Sequence, residues 1–125
     1  MFNQGNNIFA PVSYSGLVVG AVGDLNNDGF LDIQNGSTIK YAVPNSNKWL
    51  KVVLKGVQSN SNGIGARVEI YGPWGKQIRD IRSGEGFKYM SSLNAHFGLG
   101  TSTQIDQVII RWPSGIVDTI SNPTA

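Results

Sequence analysis

Asp24, Asn26, Asp28 and Asp32 carry side-chain oxygens at positions 1, 3, 5 and 9 of the stretch 24–32, and Gly29 stands at position 6. Residues of these types at this spacing suit a hard cation. Ca²⁺ takes six to eight oxygen ligands, and short acidic loops supply them from alternate side chains plus a backbone carbonyl. The carbonyl of Phe30, at position 7, fills the backbone slot. Gly29 permits the sharp turn that folds the ligands inward, because a residue without a Cβ adopts positive φ freely. The stretch is not an EF-hand. Position 12 is Asn35 instead of the bidentate Glu, and the flanks are short, apolar and β-prone. The competing explanation is an Asx-rich turn that needs no metal, since Asn, Asp and Gly dominate turns through local hydrogen bonds. Three Asp and one Asn in ligand register, with Gly in the correct slot, favour a strand–loop–strand calcium site.

Few other residues offer chemistry. His96 is the sole histidine and there is no cysteine, which excludes a zinc cluster, disulfides and thiol catalysis. No Gly-x-Ser-x-Gly elbow accompanies the serines. His96 precedes Phe97-Gly98-Leu99-Gly100, which reads as a tight turn, so it is expected to be a hydrogen-bonded structural residue. Arg82 and Arg111 fit caps or structural ion pairs, and Asp80 and Glu85 a surface charge network. Gly63-Ile64-Gly65 lacks the third glycine and the helix of a dinucleotide loop. No acid, base and nucleophile stand together, and the chain is read as non-enzymatic. Trp74, Tyr71 and Trp49 are candidate sugar-stacking platforms, with Trp74 expected exposed in its turn and Trp49 open to a competing reading. Trp49 and Trp112 occupy strand positions and are expected in the core.

The elements that must position these residues are strands. The 125 residues include 16 glycines and no run of 18 apolar residues, so no membrane-spanning helix is expected. The first residues lack the basic and apolar regions of a signal peptide. The formal charge of +2 is spread over scattered Lys and Arg, too thinly for a nucleic-acid surface. Residues 17–23 and 30–34 read as strands entering and leaving the acidic loop, and 37–43 as a third strand ended by Pro44. After a boundary at 45–47, strands are expected over 49–55, 66–71, 76–82 and 106–112, and over 116–120 pairing back across Pro113-Ser114-Gly115. A short strand is expected over 87–90, and 66–71 with 76–82 forms a hairpin. No helix is required. Repeated short strands separated by turn signals indicate a sandwich or barrel.

Two segments resemble known families. Asp24, Asn26, Asp28 and Asp32, with the preceding Val-Val-Gly-Ala-Val-Gly, resemble the calcium loop of FG-GAP/VCBS repeats, the blade units of integrin-type propellers. The stretch from Lys48 to about Ile120 resembles the ASPIC/UnbV domain. Its matching segments are Gly63-Ile64-Gly65-Ala66-Arg67-Val68, Arg82-Ser83-Gly84, His96-Phe97-Gly98-Leu99-Gly100 and Arg111-Trp112-Pro113-Ser114-Gly115. The implied organisation is a partial blade over 1–47 and a sandwich over 48–125. The expected fold is all-β: an antiparallel β-sandwich with an N-terminal blade-like β-hairpin carrying the calcium loop. A propeller needs about four blades, and this chain holds one at most. The blade-like strands must therefore belong to a longer protein, pack on the sandwich, or pair with another copy. The resemblance implies an extracellular or cell-surface location, Ca²⁺, and structural or adhesive roles toward an extracellular protein or glycan. Carbohydrate binding through Trp74 and Tyr71, and homo-oligomer or filament formation by strand pairing, are the alternatives.

Overall fold

Apolar and polar side chains alternate along residues 66–71, and a strand with that period buries one face and wets the other. The computed structural model describes residues 2–3, 6, 8–11, 15, 19–86 and 88–123, and all regular structure among them is β. The strands are β1 (Phe2–Asn3), β2 (Phe9–Ala10), β3 (Ala21–Gly23), β4 (Asp32–Asn35), β5 (Thr38–Lys40), β6 (Lys48–Val52), β7 (Arg67–Gly72), β8 (Gly75–Asp80), β9 (Ala95–Gly100), β10 (Gln107–Arg111) and β11 (Val117–Ser121). Every pairing is antiparallel.

Strands β11-β10-β7-β8 form one sheet and β6-β9 another. Their inner faces share a single core. Val68, Ile70, Val108 and Ile110 of the larger sheet pack in one cluster with Ala95, Phe97 and Leu99 of the smaller, and Leu54, Ala66, Ile81 and Ile105 complete it. Phe97 is fully buried. This is an antiparallel β-sandwich. Its sheets are also tied by side chains: Gln77 Nε2 donates to the Gly98 carbonyl at 2.9 Å, and Arg79 Nε donates to the His96 carbonyl at 3.1 Å. Two residues of β8 thus donate to carbonyls of β9. The β7–β8 hairpin turns through Pro73 and Trp74, with Gly72 opposite Gly75.

A third sheet, β3-β4-β5, is a meander. Its first strand runs beside the sandwich, where the Ser92 amide donates to the Val22 carbonyl at 3.1 Å. The blade-like strands therefore pack on the sandwich of the same chain.

Several expectations change. Residues 97–100 are not a turn but most of β9. Ala95, Phe97 and Leu99 face the core, while Gly98 and Gly100 face outward, so glycines at every second position leave the strand period intact. Residues 88–90 form no strand, and Phe87 lies outside the described residues. The Glu85 amide instead donates to the Tyr89 carbonyl at 3.0 Å and closes a loop. The strand expected over 49–55 ends at Val52. That over 17–23 is seen as Ala21–Gly23, with residues 17 and 18 outside the described ones.

Glu69 is a charged residue buried on β7, only 6% exposed. It accepts from the Tyr71 hydroxyl at 2.6 Å and from Arg111 Nε at 3.1 Å. The Tyr71 bond pulls the carboxyl down, burial pushes it up, and Arg111 adds to the pull, so the net value lies below the usual glutamate range. A carboxyl that titrates lower when folded contributes its stability above its unfolded value and loses it as pH falls through the folded one. Glu69→Gln is expected to cost about 1–2 kcal/mol at pH 7. It should cost less at pH 3, below the ordinary carboxylate range of about 4. Urea denaturation at both pH values checks this; an equal loss at both would show that packing rather than charge sets the contribution of Glu69.

Candidate functional site

The acidic loop joins β3 to β4, and the ladder places Gly23 opposite Asp32 at its neck. Local hydrogen bonds build it. The Asp28 amide donates to Asn26 Oδ1 at 3.2 Å and the Phe30 amide to Asp28 Oδ1 at 2.8 Å. Asn26 Nδ2 donates to Asp28 Oδ2 at 2.8 Å. These are the side-chain-to-backbone contacts that make Asn and Asp turn residues. Asn27 and Gly29 take positive φ, 60° and 87°. Asp32 is fully buried. Its two oxygens accept from the Leu25 and Ala42 amides, both at 2.9 Å, so it ties the loop to the chain leaving β5.

Asp24 is the electrostatic centre. Its side chain is 1% exposed. Oδ2 accepts from the Gly29 amide at 3.1 Å and from the Lys51 ammonium at 2.9 Å. Oδ1 is buried and has no partner. Burial pushes the Asp24 carboxyl up, but the Lys51 hydrogen bond, the amides of Gly29 and Asp28 and the Lys51 charge outweigh it and hold it below its ordinary value. Lys51 Nζ also donates to Asn27 Oδ1 at 2.7 Å. It lies 5.7 Å from the centre of the Trp49 ring, within cation–π range.

The tip of the loop is keyed into the β6–β9 sheet. A Cβ on Gly29 would lie 1.8 Å from the Trp49 indole. Trp49 stacks on His96 with centroids 5.9 Å apart and planes at 19°. His96 Nε2 is 2.8 Å from the Gly29 carbonyl. A carbonyl oxygen only accepts, so Nε2 carries the proton and donates. His96 is thus the hydrogen-bonded structural residue expected. Trp49, expected in the core, is half-buried against the loop instead. Trp112 packs against the core, and its Nε1 donates to Asp118 at 2.7 Å.

Asp24, Asn26, Asp28, Phe30 and Asp32 therefore share one loop, with their oxygens engaged mostly by backbone amides. Among the described residues no three His, Cys, Asp or Glu side chains form a cluster able to hold a metal. The fit to a hard cation rests on an all-oxygen donor set and on the orphaned, buried Asp24 Oδ1. Tyr71 and Trp74 stand apart on the β7–β8 hairpin. Trp74 folds back over Gly72, where a Cβ would meet its ring at 2.7 Å, and packs against the core. The Tyr71 hydroxyl donates to Glu69 at 2.6 Å, and both rings are half-buried. Sequence reading missed Lys51, Trp49 and His96 as partners of the loop. They come from strands distant in the chain, and no local spacing signals them.

Residues 56–125 match the family described as ASPIC and UnbV, more than half of the chain. No curated protein matches. Strand β6, which precedes the matched segment, pairs with β9 inside it.

Gly29→Ala is expected to cost about 3 kcal/mol, from overpacking against Trp49 together with a side chain forced to positive φ. Chemical denaturation measures it; a loss under about 0.5 kcal/mol would mean that the indole yields freely and that the loop is not keyed at this point.

Proposed function

The chain belongs to the ASPIC/UnbV family, and from that premise we propose that it is an extracellular, non-enzymatic module with a structural or adhesive role, in which the loop at 24–32 takes Ca²⁺. The meander β3-β4-β5 is then a blade-like unit of the FG-GAP/VCBS type, built against the sandwich. The observation that carries the reading is Asp24 Oδ1: a carboxylate oxygen buried without a partner, in a loop whose other donors are all oxygens. An unpaired buried polar atom is costly, and a bound cation is one way to satisfy it. Asp24, Asn26, Asp28 and Asp32 with the Phe30 carbonyl would hold the ion. When bound it supplies positive charge to three carboxylates that otherwise repel. Asp32 and Gly29 do the remaining work, fixing the loop to β5 and to the Trp49–His96 pair.

Adhesion is supported by the edge strand β11, whose five residues are all exposed and include Val117 and Ile120. Its one charged residue is Asp118, and it carries no Lys, Arg or Pro. That edge also favours the second reading, assembly by strand pairing between copies, which size-exclusion chromatography distinguishes by elution above monomer mass.

Calorimetric titration of the chelated protein with Ca²⁺ tests the proposal. Saturable binding is expected, with a dissociation constant on the order of 0.1–1 mM as in extracellular modules, and Asp28→Ala should weaken it at least about tenfold. Ca²⁺ at 100 times that constant should add about 2.7 kcal/mol of stability. Heat-free titration of the parent protein would remove calcium from the account.

A further inference from the structure

Lys51 brings a cation into the loop from outside it. The residue belongs to β6 of the sandwich, and its ammonium bridges Asp24 Oδ2 at 2.9 Å and Asn27 Oδ1 at 2.7 Å. Its side chain is only 19% exposed, and the Trp49 ring lies beside it. The other nearby lysine of the same strand, Lys48, is exposed and makes no ion pair with the loop's carboxylates. One oxygen of Asp24 thus carries a tethered positive charge while the other stays buried and unpaired.

We propose that Lys51 is a built-in competitor cation: it holds the loop's charge when Ca²⁺ is absent and sets how tightly Ca²⁺ is taken when present. The inference rests on the calcium reading of the loop. Two consequences follow from charge alone. A divalent ion entering beside the Lys51 ammonium is repelled by it, which weakens affinity. In the absence of the ion, Lys51 offsets the repulsion among Asp24, Asp28 and Asp32 and keeps the loop seated on the sandwich. Lys51 is an affinity-setting residue, not a ligand. It also links the loop to its support, because the strand that carries the ammonium carries Trp49 as well.

The test compares the parent chain with Lys51→Met, Lys51→Arg and Lys48→Met, titrated with Ca²⁺ alone by calorimetry, with melting followed in chelator. Lys51→Met should bind Ca²⁺ at least about tenfold more tightly, since Coulomb repulsion between a monovalent and a divalent cation reaches that order even at the dielectric of water and grows where the charges are buried. The gain should shrink in high salt. In chelator the same variant should melt below the parent, so the shift on adding Ca²⁺ is larger. Lys51→Arg keeps the charge and should keep parent affinity, and Lys48→Met should change affinity less than twofold. Parent binding with unchanged or weaker binding in Lys51→Met overturns the competitor role and leaves the calcium reading standing. Equal tightening in Lys48→Met also overturns it, by assigning the effect to general surface charge. Absence of binding in the parent and in every variant overturns both. Binding in Lys51→Met alone supports the competitor role in its strongest form.

Discussion

The seating of Gly29 against Trp49 and His96 is the contact on which the arrangement of the two parts depends. At this point the backbone of the acidic loop occupies space that any side chain would need, and an indole and an imidazole stacked on each other form the wall. The contact is specific because it combines a steric demand with a polar one: the missing Cβ admits the indole, and the Gly29 carbonyl meets the His96 N–H. His96 in turn sits on β9, whose inward residues Ala95, Phe97 and Leu99 belong to the main core. The loop is therefore joined to a strand whose inner face lies in the core of the sandwich. Arg79 extends the chain of contacts by holding the His96 carbonyl from the opposite sheet.

Charge placement follows from that seating. Once the loop lies on β6–β9, Asp24 and Asp32 are removed from water, and each must find compensation inside the protein. Asp32 finds it in two backbone amides. Asp24 finds it in backbone amides and one ammonium, and its Oδ1 has no hydrogen-bond partner. The two carboxylates divide the work. Asp32 makes the loop a structural joint between strands, and Asp24 joins it to the ammonium that β6 supplies.

Much of this was legible in the sequence because strands and turns write local signals. The alternation over 66–71, the Pro-Trp turn and the Pro-Ser-Gly turn gave the hairpins β7–β8 and β10–β11 close to their observed bounds. The Asx turns of the loop were readable from residue type and spacing. What escaped was either hidden by glycine or set by long-range packing. Residues 97–100 read as a turn because Gly98 and Gly100 are common turn residues, although Ala95, Phe97 and Leu99 keep a strand's period of two. The exposure expected of Trp74 failed because Gly72, two residues earlier, leaves room for the ring to fold back onto the core. The loop's partners Lys51 and His96 lie 27 residues from Asp24 and 67 from Gly29 in the chain. Only the pairing of β6 with β9 brings them together, and no motif encodes that pairing.

The most direct measurement is nitrogen-detected NMR of the His96 imidazole in the intact chain. Seating of the loop on His96 requires a proton on Nε2, slowly exchanging and with a hydrogen-bond coupling to the Gly29 carbonyl, both lost together with loop order in Gly29→Ala. A ring protonated at Nδ1 alone, or an Nε2 proton exchanging as fast as one in free solvent, would contradict this contact and remove the polar half of the loop's seat on the sandwich.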